Sequence, residues 1–153
     1  DFDFLEGMVA RCCEIKAEIV KIDEKETGVR AILNFGHTMG HALEKVLGYG
    51  KWLHGETVSV GMVFAARVSM LEKGFSRTEY DRLVHLLKNL GLPVHPEDLA
   101  AKLSWRELRD AMASDKKGRG GIPRFVLAER LGSVVFGCEV SEDTLERAFV
   151  ERV

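Results

Sequence analysis

Apolar residues recur along most of this chain at steps of three and four, a spacing that divides it into a succession of helices. From Phe4 to about Glu26, the positions Leu5, Met8, Val9, Cys12, Ile15, Ile19 and Ile22 mark one face of a long amphipathic helix, which Thr27 and Gly28 end. A second helix is expected from Asn34 to Leu47, broken by Gly48 and Gly50 around Tyr49, and a third pattern begins at His54 and can fold back antiparallel to it. From Glu56 to Lys73 the residues are nearly apolar all round, which predicts a helix at the domain centre. Its small residues Gly61, Ala65, Ala66 and Ser69 would let neighbours approach closely, and its Met and Phe content reads as core packing. Gly74 stops that helix. Ser76 with Glu79 forms a capping box for the next, whose buried stripe is Leu83, Leu86, Leu87 and Leu90. His85 lies off the stripe and, with His95 in the turn GLPVHPED, reads as a surface histidine. Ser104 and Glu107 open a further helix ending near Ser114, RFVLAERLGSVVFG reads as a β-hairpin, and a final helix runs from Ser141 to Arg152. The predicted class is mainly α, a helical bundle-like domain with one short hairpin.

Composition narrows the function classes. A chain of 153 residues is one domain by length, large enough to bury about 70% of its unfolded surface. Charged residues make up 30% and apolar ones 46%, with a net charge of -2, so there is no electrostatic footprint for nucleic acid. The three cysteines, Cys12, Cys13 and Cys138, have neither CxxC spacing nor an even count, which fits a reducing cytoplasm. The longest apolar run, near Val58 to Met70, contains Arg67 and is flanked by Glu56 and Glu72, so no membrane span is expected. A start at Asp1, with no Met and no basic segment leading an apolar one, is expected of a fragment or a processed chain.

Candidate chemistry concentrates between Arg30 and Gly61, in RAILNFGHTMGHALEKVLGYGKWLHGETVSVG. His37 and His41 are four residues apart and project from one helical face, where they can present nitrogen to a metal or a substrate. After the glycine turn His54 can bring a third imidazole to the other two. A histidine on a half-apolar helix is more often a hydrogen-bonded core residue, so spacing alone leaves both readings open. Catalytic zinc sites commonly use three protein ligands, and Glu44, three residues after His41, is the carboxylate on the same face. Arg30 carries a planar guanidinium suited to phosphate or carboxylate, with a surface cation as its plain alternative. Asp115 to Pro123, DKKGRGGIP, combines three cations with three glycines and suits either a solvated loop or an anion-wrapping one.

The run LNFGHTMGHALE followed by GYGKWLHGE resembles the 3-dehydroquinate synthases, sugar-phosphate cyclases of the shikimate pathway. The likeness continues through CEIKAEIVKIDEKETGVRA and DKK and covers nearly the whole chain. It implies that residues 1–153 are the C-terminal metal- and substrate-binding half of a two-domain α/β + α enzyme, cytoplasmic and homodimeric at full length, whose N-terminal NAD-binding domain is not in this chain. His37 and His54 match zinc (or cobalt) ligands, and His41 a histidine that hydrogen-bonds within the active site. Lys16, Arg30, Asn34 and a lysine of the DKK block, Lys117 in preference to Lys116, match substrate contacts; Lys21 keeps its plain reading as a solvated lysine. The third ligand in the family is a glutamate in an ExxK segment of the preceding domain, with no counterpart here. The implied reaction converts 3-deoxy-D-arabino-heptulosonate 7-phosphate to 3-dehydroquinate and phosphate with NAD and a divalent metal.

The sequence has no strand followed by a glycine-rich dinucleotide loop, since the cluster at Gly118 to Gly121 precedes a strand, so no cofactor-binding residue is assigned. These residues alone are expected neither to bind NAD tightly nor to catalyse the reaction. Competing readings are another sugar-phosphate cyclase, a related metal-dependent alcohol dehydrogenase, or a non-catalytic helical interaction domain with structural histidines.

Overall fold

The structure, a computed structural model, describes residues 1–25, 27–99, 102–115 and 123–151. They form two compact units, Asp1–Leu33 and Asn34–Val153. Among the described residues no helix is long and apolar enough to cross a membrane.

The first unit is dominated by α1 (Phe2–Ile22), capped by the Asp1 carboxylate, which accepts from the backbone N–H of Asp3 at 3.1 Å and of Phe4 at 3.4 Å. The helix ends earlier than expected from the sequence. Asp23 stops it by collecting the amides of Thr27, Gly28 and Arg30 on its carboxylate at 2.9, 2.8 and 3.0 Å, contacts that hold its pKa down to about 2. The apolar period of α1 is as predicted, but no residue on it is buried. A 3₁₀ turn over Val29–Asn34 follows.

The second unit contains α2 (His37–Leu47), α3 (His54–Lys73), α4 (Arg77–Asn89), the one-turn α5 (Pro96–Leu99), α6 (Trp105–Asp115), β1 (Arg124–Arg130), β2 (Ser133–Glu139) and α7 (Glu142–Val150). The strands pair antiparallel as a two-stranded sheet, so the predicted helical class with one hairpin is the observed one. The last helix is capped by Ser141, whose hydroxyl accepts from the Thr144 amide at 3.1 Å.

Helix α3 is the centre, in contact with α2, α4, β1 and α7. One side packs Val60, Phe64 and Val68 against Met39 and Leu43 of α2, Leu108 and Met112 of α6, and Phe125 and Leu127 of β1. The other packs Val63 and Ala66 against Phe75, Tyr80, Leu87 and Val94. A helix clothed on both sides needs its polar groups satisfied internally. Ser69 donates to the Ala65 carbonyl at 2.6 Å and accepts the Ala128 amide of β1 at 2.8 Å, tying the hairpin to α3. Ser59 donates to the Pro93 carbonyl at 2.7 Å. Arg67, 6% exposed, donates to the Tyr80 hydroxyl at 2.9 Å and the Ala148 carbonyl at 3.4 Å, and faces His95 Nδ1 at 3.2 Å. His95 is therefore half-buried beside the arginine, where burial first and the cation second lower its pKa; it is not the surface residue the turn sequence suggested. The expected stripe of α4 is also narrower than read, because Leu86 and Leu90 stay exposed while Leu87 is buried.

The contact between α2 and α3 decides where the histidines lie. A Cβ at Gly61 would stand 2.0 Å from the Gly36 carbonyl oxygen, one at Gly36 would stand 2.6 Å from the Met62 nitrogen, and one at Gly40 would meet the Val58 backbone at 3.2 Å. Gly36 also has φ 84, the left-handed region, as the N-cap of α2. This is why α2 begins at His37 and leaves Asn34 in the preceding 3₁₀ turn, a correction to the helix expected from Asn34. Replacing Gly61 by Ala should lower unfolding stability by about 3 kcal/mol, since the obstacle is backbone that cannot step aside. Gly55→Ala on the same helix, with nothing within 4 Å of its added carbon, should change stability by less than about 1 kcal/mol and in the favourable direction. Denaturant midpoints of the two variants check this; equal effects would mean that the helices are not in contact at Gly61.

Candidate metal centre

His37 is the first residue of α2, His41 stands one turn further on, and His54 is the first residue of α3. Glu56 holds the start of α3 by accepting the Leu53 amide at 2.7 Å, half of a capping box, since leucine has no side-chain acceptor to complete it. The glycine contact then brings the three imidazoles together, with ring centroids 5.5 Å apart for His37 and His41, 5.3 Å for His37 and His54, and 5.7 Å for His41 and His54. Glu44 joins them, one of its oxygens 3.0 Å from His54 Nδ1. The potential ligand atoms of His41, Glu44 and His54 lie within 4.8 Å of one another.

This donor set, imidazoles with one carboxylate, suits zinc or cobalt better than magnesium or calcium, which take oxygen. The electrostatics agree. Burial lowers the pKa of His37, the neighbouring imidazoles add to the effect, and the Phe35 carbonyl at 3.3 Å from Nδ1 opposes it, so the ring stays neutral and able to donate a lone pair at neutral pH.

Of the other residues singled out from the sequence, Asn34 lines a small cleft beside Gly36 with Thr38, Met39, Phe64 and Phe125. Thr38, also on this lining, donates to the Arg124 carbonyl at 3.2 Å. Lys16 and Arg30 belong to the first unit, Lys16 exposed on α1 and Arg30 donating to the Glu24 carbonyl at 2.7 Å. Lys116, Lys117 and the glycine cluster lie outside the described residues. Sequence reasoning considered Glu44 as a ligand but missed its contact with His54, because residues ten apart across a turn have no fixed relation until the helices dock.

The chain matches the family model described as 3-dehydroquinate synthase C-terminal over residues 1–118. It is 45% identical to a 3-dehydroquinate synthase of Vibrio atlanticus over 97% of this chain and 40% of that protein. It is 47% identical to one of Pelobacter propionicus over 88% and 36%, and 49% identical to one of Bordetella pertussis over 83% and 34%. The chain thus matches between about a third and two fifths of the length of these curated relatives. Among solved structures it is similar to a 2-epi-5-epi-valiolone synthase of Streptomyces hygroscopicus with NAD+ and Zn2+ bound, at a TM-score of 0.77 and 25% identity over 92% of this chain and 38% of that one.

The lowered pKa of His37 has a consequence for the metal-free protein. Its folded pKa lies below the 6.5 of the unfolded chain, so the unfolded state takes up protons first, and stability is unaffected above 6.5 and falls as pH drops through 6.5 toward the lowered value. His95 contributes a second loss of the same sign. His37→Gln should therefore remove one part of this acid sensitivity and leave the part due to His95, as read from denaturation midpoints on either side of pH 6.5. An unchanged slope would mean that His37 titrates as an open imidazole.

Proposed function

Because the chain belongs to the 3-dehydroquinate synthase family, over the C-terminal part of its members, we propose that it is the metal- and substrate-binding domain of a 3-dehydroquinate synthase. The reaction is the conversion of 3-deoxy-D-arabino-heptulosonate 7-phosphate to 3-dehydroquinate and phosphate in aromatic biosynthesis. The observation that carries this reading is the convergence of His37, His41 and His54 at 5.3 to 5.7 Å, in the family's motif and on two helices locked by glycine. The zinc and NAD in the similar valiolone synthase support the same cofactors here.

His37 and His54 would hold the metal, with a carboxylate from a segment outside these 153 residues as third ligand, and His41 hydrogen-bonds within the site. When bound, the metal supplies Lewis acidity and NAD a temporary electron sink. The chain's own part is binding and orientation. Arg30, Lys16 and Lys117 are cations suited to the substrate's carboxylate and phosphate, and Asn34 offers an amide to its hydroxyls. The grouping of His41, Glu44 and His54 favours a second reading, in which those three are the ligands and the metal site is complete within this chain.

Zinc titration by calorimetry separates the two. On the first reading His37→Ala and His54→Ala each weaken binding and His41→Ala does so less; on the second, His37→Ala binds like the parent. The substrate assignment is checked in the full-length protein, where Arg30→Ala should reduce phosphate release from the substrate by about 100-fold or more, in line with loss of a positioning contact, while Lys21→Ala stays near the parent. Equal, small effects return Arg30 to a surface cation. Phosphate release by residues 1–153 alone would overturn the half-site reading.

A further inference from the structure

We propose that Glu44 is the positioning residue of the metal site: it fixes His54 with Nδ1 protonated and Nε2 turned to the metal, and is not itself a ligand. The proposal rests on the reading that His37 and His54 hold the ion.

The pairing follows from the register of the two helices. Along α2, residues 36, 40 and 44 stand one turn apart on the face turned to α3, and their opposites on α3 are Gly61, Val58 and His54. The first rung has no room for another carbon, and the second is tight, a Cβ on Gly40 meeting the Val58 backbone at 3.2 Å. The third is the Glu44–His54 pair, set by the same helix crossing.

The two members of the pair are unequally held. The Glu44 side chain is 17% exposed and that of His54 54% exposed, so the carboxylate is the anchored group and the ring is oriented by it. A carboxylate can only accept, so at 3.0 Å the Nδ1 of His54 must carry the hydrogen and Nε2 the free lone pair. His37 shows the same arrangement independently. Its Nδ1 faces the Phe35 carbonyl at 3.3 Å, another group that can only accept, so it too presents Nε2. Two histidines with Nδ1 engaged and Nε2 free are a matched ligand pair, and of the two only His54 has its Nδ1 hydrogen-bonded to an anion, which offsets cation charge. If Glu44 were a ligand, it would have to leave Nδ1, and the most exposed of these imidazoles would lose its orientation.

The test uses the full-length protein and two readouts that do not depend on turnover. In nitrogen-15 histidine spectra of the unaltered protein, His54 should carry its hydrogen on Nδ1 in the metal-free form and coordinate zinc through Nε2. Coordination through Nδ1 overturns the proposal. In Glu44→Gln, zinc affinity by chelator competition should fall about 10- to 100-fold, the usual effect of removing such a partner. The visible spectrum of the cobalt-substituted protein should keep its band positions. Parent affinity in Glu44→Gln, or cobalt bands displaced as they are by His54→Ala, overturns the proposal, the second outcome making Glu44 a ligand. Zinc affinity insensitive to both His37→Ala and His54→Ala would instead remove the underlying metal assignment, a result distinct from any outcome at Glu44.

Discussion

The contact of Gly36 with Gly61 has no room for a single additional carbon, since a Cβ on Gly61 would overlap a carbonyl oxygen at 2.0 Å. Two helices that meet through backbone have one crossing and one register, because side chains that might yield or repack are not there. Both consequences reach the site. The crossing brings the first residue of α3 to the first two turns of α2, and the register sets Glu44 opposite His54. The glycines of the GHTMGH motif thus perform as much of its work as the histidines. They occupy the face of α2 turned to α3, and each histidine is the next residue along, displaced by about 100° onto the neighbouring face.

Precision at one end of α3 requires that the rest of the helix be held. Its apolar surface is divided between two sets of core residues, and of its buried polar side chains Thr57 donates to the His54 carbonyl within the helix while Ser59, Arg67 and Ser69 reach other elements. Ser59 holds the loop at Pro93, Ser69 the first strand, and Arg67 both Tyr80 and the last turn of α7. A buried guanidinium is costly unless it is hydrogen-bonded, and here each of its three nitrogens meets one acceptor, each from a different segment. The residues that look least like a membrane or core helix in the sequence are therefore those that fasten α3 in place.

The first unit differs in kind. α1 has a helical apolar period and good caps, yet it has no buried residue, with Phe2 90% exposed and Phe4 68% exposed. Periodicity reports which residues share one face of a helix, not whether that face is covered. The imidazole cluster is assembled within Asn34–Val153, and the cations proposed for the substrate lie on α1, on the 3₁₀ turn and in the DKK block.

The sequence by itself determined the helical class, the hairpin, the central place of α3 and the three candidate imidazoles. Each of these rests on local information: a period of 3.6, an alternation of two, a glycine that only left-handed backbone explains, or a four-residue spacing. Tertiary structure alone decided the start of α2 at His37, the half-burial of His95 beside Arg67, the exposure of Leu86 and Leu90, and the pairing of Glu44 with His54. These are contacts between segments separated by turns, and no local period encodes them. The depth to which one helix sinks against another sets them, and here that depth is the width of a missing side chain.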